Sequence, residues 1–196
     1  MGAKKQENQV KEHSLTYADY AAMPDDGKRY ELANGVLELM SPVPAPKHQL
    51  IAKILGSQLE STCQNKYILL YAPIDVILSE KEVRQPDIVM IHNSRAEMIT
   101  KRGIEGAPDL VVEVLSPSSI KRDRGSKLQV YANYGIPEYW IVDPNYPILE
   151  QYVLNNDRYE LAEVYDEDKS ICSENLTCIS FTMNDIINSL PELPNA

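Results

Sequence analysis

Histidine, cysteine and glycine are all scarce in this chain. Its 196 residues include three histidines, three cysteines and eight glycines. The histidines share no motif and the cysteines form no metal-type pair, so a zinc-dependent hydrolase site is not predicted. No GxGxxG or GxxxxGK loop and no GxSxG elbow is present, which leaves nucleotide-cofactor and serine-hydrolase chemistry without support.

Long apolar runs are also missing, and the cysteine count is odd. No run approaches the roughly 18 residues of a membrane span, and residues 4–13 are polar, unlike a signal peptide. The odd count, made up of Cys63, Cys172 and Cys178, argues against a disulfide framework and for a reducing compartment. We therefore expect a soluble cytoplasmic protein with no membrane partner, with a frayed tail over residues 1–14 and a single domain over residues 15–196.

Excess negative charge counts against nucleic-acid binding. The net charge is −10, whereas phosphate contacts from lysine and arginine supply most non-specific affinity for nucleic acid. Two local basic clusters soften this conclusion, at Lys101–Arg102 and Lys121–Arg124. Two interpretations remain open: a basic groove on an acidic body, or clusters that are simply solvated surface.

A β-hairpin is predicted around Asn34–Gly35, the pair best suited to a two-residue type I′ turn. The strands cover residues 29–33 and 36–40, and the turn fixes their register. That register places Glu31 directly opposite Glu38, and like charges in this position repel. Either both carboxylates point into water, or one of them faces a cation.

The rest of the chain alternates between helical and strand patterns. The elements predicted are a helix capped at Thr16, an amphipathic helix over 47–64, strands over 67–72 and 74–78, a charged turn over 80–84, a strand over 86–91, a loop over 103–108, a strand over 109–115, a helix from the serines at 116–119 to Tyr134, a strand over 138–142, a hairpin of 148–154 and 158–165, and a helix over 184–190. Strand, helix and strand over 109–142 make a parallel crossover natural. The fold class is α/β in the sense of a mixed α+β sheet with flanking helices.

A lone glutamate, Glu113, interrupts the apolar run Leu110–Leu115. The run is typical of a buried strand, where an ionised carboxylate without a partner is very costly. Asp87 opens another short apolar strand, so two carboxylates enter one core from neighbouring strands. Carboxylates without a histidine or cysteine cluster suit a hard cation such as Mg²⁺, and a magnesium site is therefore predicted.

Lys127 could reach these acids, because it lies on the helix that follows the Glu113 strand. It also stands four residues after Asp123, and on the physics of the residues alone an ordinary surface ion pair between the two is the more common arrangement. Three aromatic residues, Tyr139, Trp140 and Tyr152, are candidates for a dimer interface, although core packing explains Trp140 equally well.

A set of motifs in this order resembles the Uma family, whose members are described as restriction-endonuclease-like proteins of the PD-(D/E)XK nuclease superfamily. The motifs are the hairpin glutamate Glu31, the run Gln85–Asp87, the run Pro108–Ser118, the residues Asp123, Lys127 and Tyr131, and the run Gly135–Asp143. The resemblance is strong over residues 16–143 and looser beyond them. It implies a restriction-endonuclease-like core, with a metal site at one edge of the sheet.

The resemblance also implies roles for particular residues. Asp87 and Glu113 would bind Mg²⁺ or Mn²⁺, the backbone carbonyl of Val114 would be a further ligand, and Glu31 would join them. The chain departs from the superfamily pattern at Leu115, where the motif lysine should stand. The family supplies the cation from the next helix, and Lys127 is the candidate.

The expected activity is metal-dependent hydrolysis of nucleic-acid phosphodiester bonds, with DNA as the expected substrate and a homodimer as a possible assembly. The main alternative is a nuclease-fold module that binds nucleic acid or a protein partner without cleaving it. A third interpretation is a purely structural domain, in which Glu113 pairs with Lys127 or an arginine and no metal binds.

Overall fold

The computed structural model describes residues 14–40 and 44–192, so most of the predicted tail over 1–14 lies outside the described residues. The strands, in chain order, are β1 Tyr30–Ala33, β2 Val36–Leu39, β3 Tyr67–Tyr71, β4 Val76–Ser79, β5 Glu82–Arg84, β6 Ile88–His92, β7 Ile104–Glu105, β8 Leu110–Val114, β9 Glu138–Asp143, β10 Ile148–Asn155, β11 Arg158–Asp166, β12 Ser170–Ile171 and β13 Phe181–Thr182. The α-helices are α1 Tyr17–Ala21, α2 Pro46–Thr62, α3 Lys127–Asn133 and α4 Met183–Ile187. A 3₁₀ helix covers Asn93–Met98, and a π-helical turn, Arg122–Ser126, leads into α3.

The strands form two main sheets. One has the order β2-β1-β5-β4-β7, the other has the order β11-β10-β9-β8-β6-β3, and β12 pairs with β13 in a small third sheet. Pairing is antiparallel except between β8 and β9 and between β4 and β7. The mixed α+β class is therefore confirmed, and so is the parallel crossover from β8 through α3 to β9.

The first hairpin has the predicted turn and register. Asn34 and Gly35 both have positive φ, at 48° and 78°, as a type I′ turn requires. Glu31 pairs with Glu38 across the strands. The helix before it begins as predicted, because the Thr16 side chain and the Asp19 side chain form a reciprocal capping box.

The six-stranded sheet carries a core on each face. Helix α2 and the C-terminal segment, residues 171–190, cover one face, where Leu55 and Trp140 belong to the same buried cluster. Helix α3 covers the other, where Tyr131 and Tyr139 are fully buried. An interface role for Tyr139 and Trp140 was therefore wrong, because both side chains have no exposed surface and pack inside the domain.

Two local predictions need correction. Residues 80–84 were expected to be a turn, but Glu82–Arg84 forms the buried strand β5 at the centre of the first sheet. Arg84 lies against Glu82 of the same strand and also against Glu31 of β1, and a pattern of charges does not reveal the second, long-range pairing. The loop over 103–108 likewise contains the short strand β7.

The expectation of no disulfide was also wrong. Cys63, at the end of α2, forms a disulfide with Cys178, which is 115 residues later in the sequence. An odd cysteine count excludes only a fully paired set, and here Cys172 remains free and exposed. Within the described ranges, no helix has the length and apolar character needed to cross a membrane.

Candidate active site

Charged side chains from separate elements converge where β8 meets α3. The contributing residues are His48 from the first turn of α2, Glu31 from β1, Glu82 and Arg84 from β5, Asp87 just before β6, Glu113 from β8, Asp123 from the π-helical turn and Lys127 from the start of α3. All except Asp87 are buried, with 6% or less of each residue exposed. The fold thus brings together the four predicted residues Glu31, Asp87, Glu113 and Lys127.

Glu113 and Lys127 are in direct contact. Nζ of Lys127 lies 2.6 Å from Oε1 of Glu113, and the Tyr131 hydroxyl donates to the same oxygen at 2.9 Å. Each of the two charged residues is 5% exposed. The predicted ion pair between Lys127 and Asp123 is present, but its expected surface location was wrong, because α3 packs on the sheet and buries the ammonium against β8.

The ammonium of Lys127 is shared among three carboxylates. Besides Glu113, it lies 3.5 Å from Glu31 and 3.4 Å from Asp123. Both carboxylate oxygens of Asp123 are buried and accept no hydrogen bond of ordinary geometry from the described part of the chain. Within that part, Lys127 is thus the only lysine or arginine in an ion pair with Asp123, and it shares its charge with Glu113 and Glu31.

Glu31 faces a cation rather than water, which decides between the two interpretations of the hairpin. Nη1 of Arg84 lies 3.2 Å from Glu31 and 3.4 Å from Glu38, so one guanidinium holds both members of the like-charged pair. The backbone N–H of Gln85 also donates to Glu31 at 2.9 Å. Arg84 therefore removes the repulsion that the register would otherwise create.

Asp87 is held by a backbone group and by an imidazole. Its Oδ2 accepts a 2.7 Å hydrogen bond from the N–H of Val114, and Nε2 of His48 lies 3.2 Å from the same oxygen. Burial acts to lower the pKa of His48, but the hydrogen bond and charge of Asp87 outweigh it and raise that pKa above its ordinary value. Asp109, which directly precedes β8, does not contact this cluster and forms an ion pair with Arg95 at 2.8 Å.

Burial and neighbouring charges shift the pKa values of these side chains in opposite directions. Burial raises the pKa of Glu113 well above its ordinary value, and the ammonium of Lys127 offsets only part of that rise. Burial acts to lower the pKa of Lys127, but the surrounding carboxylates outweigh it and hold that pKa well above its ordinary value. For Glu31, burial acts to raise the pKa, yet the charges of Lys127 and Arg84 lower it. Lys127 is consequently a permanent cation here.

The cluster carries more acids than bases. Five carboxylates accompany two permanent cations in this part of the described structure: Glu31, Glu82, Asp87, Glu113 and Asp123, with Arg84 and Lys127. Excess buried negative charge is costly unless a proton or a cation compensates it. The composition of the cluster therefore fits a bound metal cation.

The ligand set suits a hard cation that keeps water. Oδ1 of Asp87 and Oε2 of Glu113 accept no hydrogen bond from other described residues, and both side chains line one cleft. Within residues 14–40 and 44–192, no three His, Cys, Asp or Glu side chains are arranged as a complete metal site. The residues Asp87, Glu113 and Val114 line the cleft together, and a cation held there by so few oxygen donors would have to keep several waters, as Mg²⁺ does.

The cleft over these groups has a volume of about 480 Å³. Lys127 and Val114 line its floor with the two acids, whereas Arg29, Lys47 and Arg122 add positive charge to its walls. Of the two predicted basic clusters, Arg122 thus lies in the lining of the cleft. Two other members of the basic clusters form surface ion pairs instead, since Arg102 lies 2.9 Å from Glu80 and Arg124 lies 2.5 Å from Glu150.

Three residues of the site were missed by sequence reasoning. Glu82 and Arg84 lay in the segment predicted to be a turn, and His48 was not singled out. A signal for His48 does exist, because it continues the buried stripe of Ile51, Leu55 and Leu59 at helical spacing. A histidine in such a stripe needs a polar partner.

Comparison with known proteins places these residues in context. The family model Uma2, described as "Putative restriction endonuclease", matches residues 17–184. No curated protein matches the chain. The fold is similar to the crystal structure of a "putative nuclease belonging to DUF820" from Anabaena variabilis ATCC 29413, with a TM-score of 0.72 and 20% sequence identity, over 89% of this chain and 98% of that one. At this identity the likeness establishes a shared fold.

Proposed function

The chain belongs to the Uma2 family, and we propose that it is a metal-dependent endonuclease that hydrolyses phosphodiester bonds, with DNA as its substrate. The observation that carries the proposal is the convergence of Asp87 and Glu113 on one cleft, with Lys127 in contact with Glu113. Glu113 lies on β8 and Asp87 directly precedes β6, and each has one oxygen without a hydrogen bond from the described residues.

Asp87, Glu113 and the carbonyl of Val114 would hold the cation, Mg²⁺ or Mn²⁺. When bound, such an ion polarises a phosphoryl oxygen and lowers the pKa of water. The backbone N–H of Val114 fixes Oδ2 of Asp87, and the hydroxyl of Tyr131 fixes Oε1 of Glu113. These contacts leave the second oxygen of each carboxylate available.

Lys127 takes the place of the motif lysine that Leu115 replaces. Its ammonium contacts Glu113 and lines the cleft, where it would orient the attacking water and stabilise the charge that develops on the phosphoryl group. Glu31 lies 3.5 Å from that ammonium and is 1% exposed. We assign Glu31 the task of keeping Lys127 protonated and in position.

The walls of the cleft suit a polyanion. Arg29, Lys47 and Arg122 would contact backbone phosphates, which supply affinity without reading sequence. The rest of the chain is acidic, with a net charge of −10 overall, and would repel nucleic acid elsewhere. This distribution directs the phosphodiester backbone to the face that carries the acids.

A cleavage assay tests the proposal. Fluorescent single-stranded, duplex and RNA substrates would be incubated with Mg²⁺, with Mn²⁺ or with EDTA. We expect cleavage of DNA with metal and none with EDTA, and we expect Asp87→Asn and Glu113→Gln to abolish it. Glu160→Gln is the matched control, because Glu160 is an exposed acid on β11 remote from the cleft.

A nuclease-fold module without activity is the second candidate, favoured by one observation. Leu115 stands where the motif lysine should be, and the replacement cation already neutralises Glu113. Such a module would bind DNA without cleaving it, whether Mg²⁺ or Mn²⁺ is present.

A purely structural domain is a further alternative, because it also predicts the 2.6 Å contact between Lys127 and Glu113. In that case neither metal would raise the melting temperature of the wild type, whereas a metal site would raise it and Asp87→Ala would remove the shift.

A further inference from the structure

His48 ends an apolar stripe with a polar ring. Ile51, Leu55 and Leu59 follow it on the buried face of α2, and each is 1% exposed or less. Leucine at position 48 would continue this stripe and add apolar contact with the core. The imidazole is 6% exposed, so packing alone does not explain why a polar ring stands there.

The two ring nitrogens of His48 have different surroundings. Nε2 lies 3.2 Å from Oδ2 of Asp87, whereas Nδ1 is buried and has no hydrogen-bond partner among the residues that the structure describes. A buried nitrogen without a partner destabilises the fold. The ring therefore brings one unfavourable atom into the core, and its polar contacts are with the side chain of Asp87 and the backbone of Val114, two residues that line the same cleft.

That contact determines which oxygen of Asp87 is available. Oδ2 accepts a hydrogen bond from the N–H of Val114 at 2.7 Å and lies 3.2 Å from Nε2 of His48. Oδ1 accepts no hydrogen bond from described residues, and Asp87, Val114 and His48 all line the same cleft. With Oδ2 held from both the strand and the helix, the carboxylate has one orientation, in which Oδ1 is free.

We propose that His48 is a positioning residue, which holds the Asp87 carboxylate so that Oδ1 is presented to the cation. This inference rests on the proposed function, because it assigns Asp87 to the metal site. Groups that orient metal ligands without touching the metal typically change affinity by about 10- to 100-fold when they are removed. His48 would act in this way from α2, an element outside the strands that supply the two acids.

Three substitutions distinguish the contribution of Nε2 from that of Nδ1. The amide nitrogen of His48→Gln can occupy the place of Nε2 and donate to Asp87. His48→Asn has the same chemistry but a shorter side chain, whose amide reaches only the place of Nδ1. His48→Leu has neither nitrogen. The control is Gln49→Leu, a polar-to-leucine change at an exposed position in the same turn of α2.

Mn²⁺ binding in the absence of nucleic acid is the readout, measured by titration calorimetry and by the electron paramagnetic resonance signal of free Mn²⁺. We expect His48→Asn and His48→Leu to bind Mn²⁺ about 10- to 100-fold more weakly than the wild type. His48→Gln and Gln49→Leu should remain within about threefold of it. Circular dichroism without metal verifies folding, and His48→Asn carries the test alone if His48→Leu unfolds.

The outcomes distinguish this inference from the function on which it rests. Wild-type affinity in folded His48→Asn would overturn the positioning role and leave the metal site intact. Tighter binding in that variant would also overturn it, because the ring would then be competing with the cation for Asp87. If the wild type bound no Mn²⁺ at all, the proposed function would fall, and the inference with it.

Discussion

Lys127 follows Glu113 by fourteen residues in the chain, and in the fold its Nζ lies 2.6 Å from Oε1 of that glutamate. The parallel crossover produces this contact, because α3 must pack back across β8 before β9 can pair with it. A lysine one residue further along the helix would point elsewhere. The crossover therefore supplies, from a helix, the cation that Leu115 does not supply from the strand.

Replacing Lys127 with methionine should destabilise the protein and abolish cleavage. The variant keeps the length of the side chain but leaves Glu113, Glu31 and Asp123 without their shared cation. Removing one partner of a buried ion pair costs about 3–5 kcal/mol, and we expect a loss of this size in the free energy of unfolding, measured with urea at pH 7. Lys53→Met, an exposed change on α2, should lose little. Undiminished metal-dependent cleavage in folded Lys127→Met would show that the catalytic role assigned to this lysine is wrong.

Lys47 offers a test of the cleft walls. Lys47→Gln should weaken binding to duplex DNA and reduce the slope of log Kobs against log salt by about 0.9, the value for one lost phosphate contact. Fluorescence anisotropy at several salt concentrations, with EDTA to prevent cleavage, measures both quantities. Lys53→Gln is the matched control, since Lys53 lies on the same helix and outside the cleft lining. An equal loss in both variants would mean that the cleft has no special role in binding.

The disulfide between Cys63 and Cys178 should contribute to stability. It joins the end of α2 to the C-terminal segment across 115 residues, and cross-links of long loops restrict the unfolded chain. Cys63→Ser should lower the free energy of unfolding by about 2–5 kcal/mol, and dithiothreitol should bring the wild type to the same value. Cys172→Ser serves as the control, because Cys172 is free and exposed. A wild type that is insensitive to reductant would contradict this prediction.

Asp75 should make stability depend on pH in a predictable direction. Burial raises its pKa above the ordinary value of 3.8, and hydrogen bonds from Gln85 and Tyr20 only partly offset the rise. Because the folded pKa is the higher one, protonation favours the folded state. The penalty of ionised Asp75 is therefore present at pH 7 and disappears as the pH falls through the folded pKa towards 3.8.

Asp75→Asn removes that penalty and keeps Oδ1 as the acceptor for Gln85 at 2.8 Å. At pH 7 the variant should be more stable than the wild type, and the difference should shrink as the pH is lowered. Urea unfolding at several pH values measures it, with Asp157→Asn in an exposed turn as the control. A difference that stays constant with pH would exclude titration of Asp75 as its cause.

Much of the fold could be predicted from local patterns in the sequence. The Asn34–Gly35 pair specified both the turn and the register that sets Glu31 against Glu38, since only positive φ at both positions satisfies a type I′ turn. The single Glu113 within an apolar run predicted a buried charge, which the structure contains. These predictions succeeded because turn geometry and the cost of burial act on neighbouring residues.

Other features were absent from local patterns. The charged segment at β5 was read as a turn, because the neutralisation of Arg84 by Glu31 depends on a strand 53 residues earlier. The link between Cys63 and Cys178 spans most of the chain, and the His48 contact with Asp87 joins a helix to a distant strand. Spacing in the sequence contains no information about such pairs.

The sequence by itself determined most of the elements and the register of the first hairpin, and it predicted Asp87 and Glu113 as the candidate acids, because each of these features depends on residues a few positions apart. Only the tertiary structure decided that Lys127 is buried among three carboxylates rather than solvated beside Asp123. It also decided that His48 reaches Asp87. The physical reason is that the partner of a buried charge is selected by the packing of whole elements, and that packing minimises the cost of desolvation over the entire core.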